Sequence, residues 1–93
     1  MSAIRDAFTL RNKVVEIDGI SFTVRRPSVM DFLESMEVAK TKPEHLQAFL
    51  VYSLLVDDGK PVFGSVDEVL NSDVRLVQAI ARECEKLYEE GRD

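Results

Sequence analysis

The chain has 93 residues, enough for one domain with one core but not for a deep internal cavity. Hydrophobic residues are 45% of it, which excludes an intrinsically disordered chain. Its net charge of −5 is uneven: residues 1–26 carry a net +2 and residues 27–93 a net −7, so the body lacks the basic surface that nonspecific phosphate binding needs.

Residues 1–12 read as an N-terminal extension. A short helix over 2–11 is expected, with Ser2 as N-cap and Ile4, Ala7 and Phe8 on one face. A helix this short is marginal alone, so it either docks or frays. Two β-branched runs then flank Asp18-Gly19, a strong two-residue hairpin signal. The turn sets Ile17 opposite Ile20, Val15 opposite Phe22 and Lys13 opposite Val24. That face is apolar apart from Lys13, while Val14, Glu16, Ser21 and Thr23 make the other face mostly polar. A sheet with one apolar face needs a cover, and the chain beyond Pro27 reads as helix. Val15, Ile17, Ile20, Phe22 and Val24 are therefore expected to face helices. Arg11, Lys13, Arg25 and Arg26 gather at the hairpin's open end as a small basic patch, read as solvated strand ends or a protein contact in preference to a nucleic-acid site.

Arg26-Pro27 ends the second strand, and Ser28 caps the next helix, 28–40. Val29, Phe32, Leu33 and Met36 form its apolar stripe. The following helix starts either at Pro43 as first helical residue or with Thr41 and Glu44 as a capping box. Leu46, Phe49, Leu50, Leu54 and Val56 make it apolar on more than one side, as expected of the central helix of the core. Asp57-Asp58-Gly59 is read as its stop, with Gly59 as the left-handed residue. Lys60-Pro61-Val62-Phe63 is extended, a candidate third strand along the hairpin edge. Ser65 and Glu68 form a capping box for a short helix that turns Val66, Val69 and Leu70 inward. Asn71-Ser72-Asp73 caps the last helix, 73–90, with Leu76, Val77, Ile80, Cys84 and Leu87 as its stripe. Gly91 ends it, leaving 91–93 as a tail. The fold class is α+β, mainly α: an N-terminal hairpin packed on four helices. Phe32, Leu33, Leu50, Leu54, Val77 and Ile80 are the expected core.

The residues that could carry chemistry have simpler roles. His45, the single histidine, lies in a first helical turn with no implied pocket. Cys84, the single cysteine, is mid-stripe and flanked by Glu83 and Glu85, the setting of a buried small hydrophobe rather than a reactive thiolate. Asp57-Asp58-Gly59 lacks the alternating oxygen ligands and later bidentate Glu of a calcium loop. The glycines have no phosphate-loop spacing. No cofactor, metal site, nucleic-acid partner or enzymatic activity is expected. The longest apolar stretch, Phe49 to Val56, is too short for a membrane span, and no signal peptide is evident. Leu76, Ile80, Cys84 and Leu87 are either domain core or the seam of a homo-oligomer.

The order of these elements resembles the small tail assembly chaperones of long-tailed bacteriophages over residues 13–90. The resemblance rests on the hairpin, on the basic exit Val24-Arg25-Arg26-Pro27-Ser28, and on Asp57-Asp58-Gly59-Lys60-Pro61-Val62-Phe63. It continues in the acidic Val66-Asp67-Glu68-Val69-Leu70 and the final amphipathic helix. It implies a non-enzymatic holdase in the host bacterial cytoplasm. Such proteins coat the tape-measure protein, help to recruit tail-tube subunits, and leave before the tail is finished. The client-binding residues expected on this basis are Leu76, Ile80, Leu87 and Tyr88 on the last helix. The alternative is a small acidic adaptor, an antitoxin-like or inhibitor-like module that binds one folded partner.

Overall fold

Asp18 and Gly19 both take positive φ, 52° and 77°, the pair of left-handed residues that a type I′ turn requires. In the computed structural model, which describes residues 3–9 and 11–89, they join β1 (Asn12–Ile17) to β2 (Ile20–Arg25). The register is the expected one, with Ile17 opposite Ile20, Val15 opposite Phe22 and Lys13 opposite Val24. Val15 and Val24 are buried, and Ile17 and Phe22 half-buried. Ile20 departs from expectation: it stands 57% exposed at the hairpin tip.

A second hairpin has the same chemistry. Asp58 and Gly59 take φ of 54° and 78° and join β3 (Leu55–Asp57) to β4 (Lys60–Pro61). β3 lies against β2, pairing Thr23 with Val56 and Val24 with Leu55, so the sheet order is β1-β2-β3-β4, all antiparallel. This corrects three expectations. Val56 is strand, not helix. Gly59 belongs to a hairpin turn, not a helix terminus. Residues 60–61 form the outermost strand, and the strand along the hairpin edge is 55–57. The physical reason is the open edge of β2: its unpaired amides and carbonyls are satisfied by a chain that leaves the helix early.

The helices are α1 (Ala3–Ala7), α2 (Val29–Thr41), α3 (Leu46–Leu54), α4 (Val66–Leu70) and α5 (Val74–Glu89), with a 3₁₀ turn at Pro43–His45. α3 is the central helix, burying Ala48, Leu50, Val51 and Leu54. It packs on α5, which contributes Ile80, Ala81, Cys84 and Leu87, and both meet Val24, Leu55 and Val69 in one core. Lys13, on the covered face of the hairpin, lies 3.9 Å from Glu83 of α5. Pro43 takes the first position of the 3₁₀ turn, while the Thr41 hydroxyl donates to the Glu37 carbonyl inside α2 instead of capping. Ser65 caps α4, its Oγ accepting from the Glu68 amide at 3.3 Å. Asp73 caps α5, accepting from the amides of Arg75 and Leu76, whereas Ser72 donates to the Glu68 carbonyl. Leu70 is exposed, because a five-residue helix turns only Val66 and Val69 to the core. α1 is helical as expected but buries none of its residues, with Ile4 and Phe8 more than three-quarters exposed. Ser2, Gly91 and the 91–93 tail lie outside the described residues.

Cys84 is buried as expected, its Sγ 3.9 Å from the Leu50 carbonyl. Burial, then the charges of Glu85 and Glu83, push its thiol up to about 12. The native protein should therefore resist a thiol reagent at pH 8 and react fully once unfolded in denaturant. Rapid native labelling at full stoichiometry would contradict this packing.

Candidate functional site

The largest departure from expectation is α2. Its predicted inward stripe points out: Val29 is 77% exposed, Phe32 41%, Leu33 53% and Met36 53%, and Met30 joins them at 63%. The residue that α2 buries is Asp31. Phe32 and Leu33 thus do not belong to the core, and Val77 is only half-buried at its margin.

The cause lies in two local devices. Ser28 and Asp31 form a complete capping box: Ser28 Oγ accepts from the Asp31 amide at 3.1 Å, and Asp31 Oδ2 accepts from the Ser28 amide at 2.8 Å. The same carboxylate takes both ends of the Arg25 guanidinium, the Nη2–Oδ1 bond being 3.0 Å. Arg25 is the last residue of β2, so the fork fixes the rotation of α2 relative to the sheet. Burial alone would raise the Asp31 carboxyl, but Arg25 and the Ser28 amide outweigh it and hold it below the ordinary carboxylate value. The hydrogen bonds to Asp31 raise Arg25 in turn. With the side of Ser28, Asp31, Ser35 and Val38 turned inward, the apolar residues, about 100–160° round the helix from Asp31, face out.

This face borders a groove of about 260 Å³ between α2 and α5. Its floor is Leu46 and Leu50, its α2 wall Met36 and Ala39, and its α5 wall Tyr88 with Glu85 and Glu89. The Phe32 and Tyr88 rings meet at 6.2 Å between centroids, tilted by 42°, and bridge the two helices. The Tyr88 hydroxyl is buried beside Ser35, whose own hydroxyl donates to the Phe32 carbonyl. Burial raises the Tyr88 phenol.

The groove is smaller than the roughly 300–1,000 Å³ of small-molecule sites, and it is open. It suits side chains projecting from a partner helix. Two of the exposed apolar residues are Met30 and Met36, whose flexible thioethers adapt to varied apolar surfaces. A larger hollow of about 430 Å³ lies at the hairpin tip, but charged Asp18, Asp73, Arg75 and Arg82 line it, and α2 does not reach it.

The four residues expected to bind a client separate in space. Tyr88 lines the groove. Ile80 and Leu87 are core residues, 2% and 5% exposed. Leu76 is half-buried near the other end of α5, about 18 Å of helix rise from Tyr88. The exposed α2 residues were not expected as a site, although the only charged group on the hidden side, Asp31, six residues after an arginine, was a signal that this side faces protein. Among the described residues no three His, Cys, Asp or Glu side chains cluster to hold a metal, and no helix is long and apolar enough to cross a membrane. Comparisons with protein-family models, with curated proteins and with solved structures found no significant match.

Proposed function

We propose that this chain is a non-enzymatic tail assembly chaperone, holding an apolar helical client, the tape-measure protein, in solution on the α2 face. The observation that carries the reading is a well-capped helix with five large apolar residues in solvent, Val29, Met30, Phe32, Leu33 and Met36. Monomeric proteins rarely leave contiguous apolar patches uncovered unless something binds them. The resemblance of the element order to the phage family supports the tape-measure protein as that client. The acidic body, net −7 over residues 27–93, would keep a coated client soluble by mutual repulsion of the copies. Tail-tube subunits are the second partner, the site of action is the host bacterial cytoplasm, and the protein departs before the virion is complete.

Co-expression with the tape-measure protein of the same genome tests this. The wild type should keep the client soluble and co-purify with it. Leu33→Glu and Met36→Glu should retain the wild-type circular dichroism and melting curve yet recover at least fivefold less client. Tyr88→Glu should act in the same direction. A client that stays insoluble and unbound beside the wild type ends the chaperone reading.

A further inference from the structure

The rim of the α2–α5 groove is charged on one side only. Glu85 and Glu89 stand one helical turn apart on α5, both exposed, and no basic residue is among the described residues that line the groove. We infer that the groove selects an amphipathic helix whose apolar ridge is flanked by lysine or arginine, the ridge seating on Met36, Ala39 and Leu50 and the flanking cations meeting Glu85 and Glu89. This deepens the proposed function, on which it rests for the site, by giving the chemistry of the segment that is held.

The same charges argue against a second copy as the occupant. A two-fold pairing places the patch on itself, so the acidic rims of two copies would lie near each other. The net charge of −5 opposes that approach further. A helix with carboxylates beside its ridge meets the same repulsion. Complementary charges at a rim act mainly on specificity and association rate, and they weaken with salt. A basic flank therefore selects among apolar helices that the floor alone would accept equally.

Two synthetic helices test the inference, identical in a leucine–alanine ridge at i, i+3, i+4 and i+7 and differing only in lysine or glutamate beside it. In fluorescence anisotropy with the full chain, the lysine-flanked helix should bind at least tenfold tighter at low salt, and the gap should narrow as salt rises. The double variant Glu85→Gln, Glu89→Gln should reduce the gap to under threefold. A charge-matched control, Glu16→Gln with Asp67→Asn on exposed sites away from the groove, should leave it unchanged. Equal binding of the two helices, binding of neither, or the same loss from the control pair would overturn the inference. A second copy in the groove would appear as self-association competing with peptide in sedimentation equilibrium, and also overturns it. The tape-measure co-purification separates the two ideas: client binding without lysine preference defeats this inference alone, and lysine preference without client binding defeats the chaperone reading alone.

Discussion

Leu54→Ala is expected to destabilise the protein by about 2–5 kcal/mol, the range for an emptied aliphatic core site. Leu54 has no exposed surface and sits at the C-terminal end of α3, where helix passes directly into β3. Its side chain packs in the core with Val24 of β2 and the α5 stripe. The neighbouring Leu55 carries the pairing with Val24, so the backbone has little freedom to collapse into the void. A domain of this size has roughly 5–14 kcal/mol in total, so the loss removes a large part of it. Urea melts should show the midpoint fall by about 1–3 M with the slope unchanged. Leu33→Ala is the matched comparison, because Leu33 is 53% exposed on α2. It should cost under about 0.5 kcal/mol, as surface substitutions do. Equal losses at the two positions would mean that α2 turns its stripe inward in solution.

The first half of the fold was legible and the second half less so, although both use the same dipeptide. Asp18-Gly19 lies between alternating strands, and its turn, register and covered face follow from period two. Asp58-Gly59 has nearly the same backbone angles, yet the apolar run from Phe49 to Val56 continues the helical pattern up to it. Only the open edge of β2, a feature of the assembled sheet, makes Leu55 and Val56 strand. The candidate site was hidden by an ordinary inference. An apolar stripe on a helix normally faces the core, and nothing in Val29, Phe32, Leu33 and Met36 distinguishes a buried stripe from a displayed one. The distinction lies in Arg25 and Asp31, whose pairing needs β2 and α2 placed in space. On α5 the apolar stripe does face the core: Ile80, Cys84 and Leu87 are buried.

Asp31→Ala should cost about 2–4 kcal/mol although α2 is largely exposed. Removing one partner of a buried ion pair costs about 3–5 kcal/mol; Arg25, with 30% of its side chain exposed, regains some water, which trims the loss. The Ser28 amide also loses its acceptor. Arg25→Met combined with Asp31→Leu should be milder than Asp31→Ala alone, because no charge is left unpaired. The pH dependence has a definite sign. The folded carboxyl titrates below its ordinary value of 3.8, so the stabilisation is complete above that value and is lost as pH falls through the depressed folded value. Asp31→Asn does not titrate there. The stability gap between wild type and Asp31→Asn should therefore be constant from neutral pH down to about 5 and close progressively below 3.8. A gap that is absent at neutral pH, or that widens with acid, would show that the Arg25–Asp31 fork does not hold α2. If the fork does hold it, Asp31→Ala should also weaken client retention without touching the client, because a released α2 can roll its apolar face onto the core. Arg25→Met with Asp31→Leu should then recover stability without recovering the client, since an apolar pair leaves the rotation of α2 unspecified.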